Sequence, residues 1–122
     1  MLRTLLAAVA VLAITLPTAA EAADAEAGKV SFQANCASCH GPEGAGDGPV
    51  AVALDPKPRN FAEGDFQYDT DGDGTSGTDA DLSDIITQGA AVFGGNAMMA
   101  PLPHLSDEEV ANIIAFVRTL KQ

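Results

Sequence analysis

Cys36-Ala37-Ser38-Cys39-His40 sets two thiols three positions apart, with an imidazole directly after the second. Thiols at that separation can add across the two vinyl groups of a porphyrin, and a histidine so close behind the second anchor is delivered to the proximal face of the iron. The pattern points to one covalently held haem, with Cys36 and Cys39 as anchors and His40 as the proximal ligand. Other uses of the cysteine pair meet obstacles elsewhere in the chain. A zinc site needs two more ligands, yet there is no third cysteine and the only other histidine is His104. A thioredoxin-like disulfide centre needs a strand before the pair and a βαβ unit after it; the flanks here are an alanine-rich helical stretch and a glycine-rich loop.

Haem iron held by one histidine takes a thioether on its other side for electron transfer, or keeps that side open for gas or peroxide chemistry. Met98 and Met99 stand together in Gly94-Gly95-Asn96-Ala97-Met98-Met99-Ala100-Pro101, and one of them is the expected distal ligand. Pro101 stiffens this loop, and Gly94 and Gly95 would let backbone pass close to a porphyrin. Two methionines can also be flexible core filler. His104 would give bis-histidine ligation, but its place between Pro103 and a helix-capping segment suits a surface or haem-edge role.

Three helices are predicted to position these groups. The first begins near Ala25 and runs to about Ala37, with Gly28 and Phe32 on one face, the glycine permitting a close helix crossing. The second covers Asp79 to Gln88, capped by Thr78, stopped by Gly89 and burying Leu82, Ile85 and Ile86. The last opens at Leu105-Ser106-Asp107-Glu108-Glu109, where Ser106 and Glu109 have capping-box spacing and Leu105 can staple to Val110. Val110, Ile113, Ile114, Val117 and Leu120 then recur at helical intervals, ending the helix near Leu120 with Arg118 and Lys121 at its negative end. The glycine-, proline- and aspartate-rich chain between the thiol motif and the second helix reads as loop wrapped over a cofactor. No strand pattern is present, so the fold class is all-α.

Arg3, the apolar run Leu5 to Leu16 and Ala20-Glu21-Ala22 have the layout of a cleaved export signal, assigned to residues 1–22 with the cut within two residues either side. Residues 23–122 then form one domain, placed in a bacterial periplasm. A membrane-tethered, uncleaved form is the alternative, although the apolar run is short for a span. Covalent attachment outside the membrane also implies a haem-delivering maturation apparatus. A chain this small, with no tryptophan and one tyrosine, would rely on the haem as part of its core, so the apoprotein is expected to be loosely folded or unfolded.

The chain carries 17 acidic against 6 basic side chains, a net charge of −11, and losing Arg3 and Glu21 together leaves that figure unchanged. No basic patch exists to neutralise phosphates, which excludes nucleic acid. The negative field suits a redox protein with a basic docking surface, or a basic patch on a membrane respiratory complex. Asp69-Thr70-Asp71-Gly72-Asp73-Gly74-Thr75 begins like an EF-hand calcium loop, but its twelfth position is Ala80 where a bidentate glutamate belongs. It reads as an acidic loop adding to the negative face, with weak calcium binding as the alternative.

The order Gly28, Phe32, Cys36-Ala37-Ser38-Cys39-His40-Gly41, Met99-Ala100-Pro101 and Leu105-Ser106-Asp107-Glu108-Glu109 with Ile113-Ile114-Ala115-Phe116-Val117 resembles the class I, mitochondrial-type cytochrome c domain of bacterial periplasmic electron carriers. The resemblance covers essentially all of residues 23–122. It implies three to four helices around one haem c, with the terminal helices crossing near right angles through Gly28 and Phe32 on one and Ile113 and Phe116 on the other. It favours Met99 over Met98 as the second axial ligand, since Met-Ala-Pro is a variant of the family's methionine-proline pair. It also makes Gly46 to Phe61 the proximal-side loop. There the Pro49 carbonyl would accept from the free ring nitrogen of His40, Arg59 would pair with a haem propionate and Phe61 would line the porphyrin edge. The implied function is a single-electron carrier rather than an enzyme. The alternatives are a fixed haem c subunit of an oxidoreductase complex, or an open-site, peroxidase-like haem enzyme with Glu63 or His104 as acid or base.

Overall fold

The computed structural model describes residues 21–122. The export segment assigned to 1–22 lies outside the described residues but for its last two. Among the described residues there are four α-helices, three short 3-10 turns and no strand, in agreement with the all-α expectation. None of these helices is long and apolar enough to cross a membrane.

Helix α1, Ala25–Asn35, starts where the Asp24 carboxylate accepts from the backbone N–H groups of Glu26 and Ala27. It stops two residues earlier than the sequence suggested. Cys36 leaves the helical region at φ −122°, and a separate turn of helix, α2, runs over Ala37–His40. The break is tied on both sides: the Cys36 N–H donates to the Phe32 carbonyl, and the Cys39 and His40 N–H groups both donate to the Cys36 carbonyl.

Helix α3 spans Asp79–Gln88, as expected, with Thr78 as cap and Gly89 at its end. Helix α4 is Asp107–Thr119, opened by the reciprocal Ser106–Glu109 box. Its buried face, Val110, Ile113, Ile114, Phe116 and Val117, supplies most of the core. A Cβ at Gly28 would collide with the Asn112 carbonyl, so glycine there is what lets α1 and α4 touch backbone to backbone. Beside that contact Phe32 is buried edge-on against Phe116, centroids 5.1 Å apart. The crossing implied by the family resemblance is therefore built from the residues named for it.

A second tie secures the far end of α4. The Arg118 guanidinium donates to Asp79 Oδ1 and to the Gly77 carbonyl, and lies 5.1 Å from the centroid of the Phe66 ring. This fixes α4 against the start of α3 and the loop that feeds it. The long chain between α2 and α3, with 3-10 turns at Ala51–Ala53 and Phe61–Glu63, then closes over one side of the helices.

Candidate haem site

A cavity of about 650 Å³ opens between this long loop and helices α3 and α4. Cys39 and His40 enter its lining from α2, and Arg59, Phe61 and Tyr68 from the long loop. Leu82, Ile86, Ile114 and Val117 give it apolar walls, and Met98 and Met99 come from the loop ahead of α4. An imidazole and two thioethers thus line one largely apolar cleft, with the thiols beside it. Cys36 is half-buried at the edge, packed against the Phe32 and Phe116 cluster.

The His40 ring is set from two directions. Its Nδ1 lies 3.1 Å from the Arg59 carbonyl; a carbonyl only accepts, so Nδ1 carries the hydrogen and Nε2 keeps its lone pair free for a metal. The Phe61 ring stacks on it at 4.6 Å with 20° between planes. Burial lowers the His40 pKa below the ordinary imidazole range, against the opposing pull of the Arg59 carbonyl. The Cys36 thiol is pushed up to about 11, first by burial and then by its neighbour Cys39.

The hydrogen-bond acceptor for His40 corrects the assignment to Pro49. Gly46 donates to the His40 carbonyl, Gly48 to that of Cys39 and Val50 to that of Ser38. These bonds lay the 46–50 segment along the backbone of α2, leaving Pro49 exposed and outside the cavity. The chain reaches the imidazole on its return, at Arg59 and Phe61. Arg59, a residue of the cavity lining, therefore contributes its carbonyl to the ring, while its guanidinium stands 3.9 Å from Asp65.

Both methionines reach the cavity, with different support. Met98 is exposed and its N–H donates to the Asn96 side chain. Met99 is half-buried; its N–H donates to the Asn96 carbonyl and its own carbonyl accepts from Ala90 at the end of α3. Gly94 takes a left-handed turn, φ 84°, facing open space, and Gly95 makes room for the Tyr68 hydroxyl, 2.5 Å from where a Cβ would stand. His104 lies outside the cavity lining, exposed and 3.4 Å from the Asn35 side chain, as its surface role required. Glu63 does line the cavity, but it is exposed and accepts from the Asn60 amide.

Sequence reasoning passed over Tyr68, Asn96 and Asp81. The sole tyrosine of the chain was a signal in itself, and Thr78 and Asp81 have the spacing of a capping box. Asp81 closes that box and also binds Thr70, which turns part of the acidic loop inward. Asp69 likewise accepts from the N–H groups of Gly72, Asp73 and Gly74, so the loop is an internally bonded turn with Asp71 and Asp73 exposed. Carboxylate oxygens of Asp69, Asp71 and Asp81 lie within 4.8 Å of one another.

The donor set fits a c-type haem: a free imidazole nitrogen and two thioethers in the lining of one apolar cleft, with Cys39 in the same lining and Cys36 three residues before it. Comparison with known proteins agrees. The family model described as Cytochrome c matches residues 25–121. A solved chain from the Kuenenia stuttgartiensis reducing HAO-like protein complex is similar at 33% identity and a TM-score of 0.69, over 83% of this chain. The chain spans only 44% of that one. No curated protein matches it.

Proposed function

The chain belongs to the cytochrome c family, an electron-transfer rather than catalytic family, and from that membership we propose a single-electron carrier that shuttles between periplasmic redox partners. The carrying observation is that His40, with Nε2 free, shares one apolar cavity with Met98 and Met99 beside the two thiols. Haem c bound there supplies a one-electron ferric/ferrous couple. Cys36 and Cys39 would anchor it, His40 would ligate it, and Met99, whose backbone is bonded on both sides, is the proposed second ligand, with Met98 as the alternative. Phe61 and the Arg59 carbonyl hold the imidazole in one orientation. Arg59, a residue of the cavity lining, is proposed to meet a propionate through its guanidinium.

The rest of the chain excludes water and presents charge. Leu82, Ile86, Ile114 and Val117 keep the cleft apolar. Val52 and Val92 stand exposed on the 3-10 turns Ala51–Ala53 and Ala91–Phe93, and beyond those turns the Asn96 amide donates to the Asp55 carbonyl. A partner with a basic docking surface would be steered by the negative net charge. We further propose that residues 1–22 direct export and are removed.

The test is the optical spectrum of exported holoprotein in both oxidation states, with Met98→Leu and Met99→Leu alongside. A weak methionine-to-iron band near the red end of the ferric spectrum, lost only in Met99→Leu, is the expected result. Absence of that band, with ready carbon monoxide binding by the reduced protein, would overturn the closed-site carrier. The likeness to a chain of a multi-protein complex favours a second reading, a fixed subunit of an oxidoreductase. Copurification with a large partner distinguishes it.

A further inference from the structure

Asp81 is the one carboxylate in the lining of the cavity that is withdrawn from water, at 1% exposure. Four neutral donors surround it. Thr70 gives its N–H at 2.6 Å and its hydroxyl at 2.9 Å to Oδ1, and Thr78 gives its N–H and its hydroxyl, both at 2.8 Å, to Oδ2. Among the described residues no lysine, arginine or histidine forms an ion pair with it; Arg59 pairs with Asp65 and Arg118 with Asp79. The Thr70 hydroxyl also faces Asp84 Oδ2 at 2.8 Å, so its single proton is shared between two carboxylates. Backbone and hydroxyl donors lower the Asp81 pKa, led by the Thr70 N–H and opposed by burial, so the group stays ionised at neutral pH.

A capping box alone would serve helix α3 from an exposed position, as the one at Ser106 and Glu109 does. Asp81 instead holds a full negative charge out of water on a residue of the cavity lining, with its two oxygens bonded to Thr70 and Thr78. Dipoles stabilise such a charge without cancelling it, and the low dielectric of the interior extends its reach. A fixed anion beside the cavity opposes the arrival of an electron within it. Resting on the reading of this cavity as the haem site, we propose that Asp81 is a positioning residue for redox poise: it holds the midpoint potential down, offsetting the rise that thioether ligation brings.

The experiment is redox titration of the haem-loaded protein with Asp81→Asn, Thr70→Val and, as an exposed control, Asp73→Asn. Asp81→Asn should raise the ferrous-to-ferric ratio at a fixed ambient potential by about tenfold, equivalent to about 59 mV for one electron. That shift should persist in added salt, whereas the smaller shift of Asp73→Asn should fade with it. Thr70→Val removes a donor from the carboxylate while leaving the charge, and should move the potential the opposite way, lowering the ratio by about twofold. A merely structural role would loosen the same loop in both variants and move them together.

An unchanged potential in folded, haem-bearing Asp81→Asn, or a shift of equal sign in the two variants, overturns the inference while leaving the electron-carrier reading intact. Should Asp81→Asn fail to fold, the downward shift in Thr70→Val decides, and its absence overturns the proposal. A parent protein without covalently bound haem overturns both readings together.

Discussion

Gly28 and Gly94 separate two reasons for having no side chain. At Gly28 the backbone is ordinary helix, and a Cβ would meet the Asn112 carbonyl of α4, which cannot yield without moving the helix. At Gly94 there is room for a Cβ, but φ is 84°. Gly28→Ala should therefore cost about 3 kcal/mol, at the upper end of overpacking effects, and Gly94→Ala about 1 kcal/mol from left-handed strain. Denaturant unfolding of the two holoproteins checks the order. At this scale the sequence was readable wherever chemistry resides in the side chain: the thiols, the imidazole, the methionine pair and the glycine of the helix crossing. The partner of His40 was not readable, because the group that fills the role is the main-chain carbonyl of Arg59. Every residue owns a carbonyl, and only the path of the 46–60 loop decides which one arrives.

The helices were legible because their ends are written in side chains. Thr78 and Ser106 cap α3 and α4 as read, and the stripe from Val110 to Val117 is buried as its spacing requires. The end of α1 was less so, since the kink at Cys36 has no glycine or proline to announce it; tertiary demands on the haem motif bend a sequence that could have stayed helical. The Ser106–Glu109 box offers a test of element energetics. Ser106→Ala should destabilise the protein by about 1 kcal/mol. Glu109 adds a pH signature, because the Ser106 N–H and hydroxyl lower its pKa in the folded state. A carboxylate with a depressed folded pKa stabilises above its unfolded value, about 4.3, and loses that contribution as pH falls through the folded value. The stability gap between the parent and Glu109→Gln should thus be present at pH 7 and close on acidification below about pH 4. Thermal unfolding at both pH values measures it.

The molecule as a whole joins a small helical core to a larger volume that the chain alone leaves unfilled. Phe32, Ile113, Phe116 and Val117 pack α1 on α4, while the long loop, α3 and the methionine loop face a cavity of about 650 Å³. Replacing both Cys36 and Cys39 by alanine should therefore split the protein by region. Hydrogen exchange should become fast from Gly41 to Thr78 and around Met99, with residual protection confined to α1 and α4, because only that pair has a core without the prosthetic group. Uniform protection throughout would mean that the loops fold unaided. Charge acts over a longer range than any of these contacts. The net charge of −11 is carried largely on exposed side chains, including Asp71, Asp73, Asp107, Glu108 and Glu109, and few cations interrupt them. A field of that kind reaches about 30 Å at 0.01 M ionic strength and about 8 Å at 0.15 M. Electron transfer to a basic redox protein should accordingly slow on the order of tenfold between those two conditions, while transfer to an acidic one should start slow and quicken as salt is added. Stopped-flow rates against one partner of each sign distinguish steering by this surface from a general effect of salt on the haem, which would move both rates in the same direction.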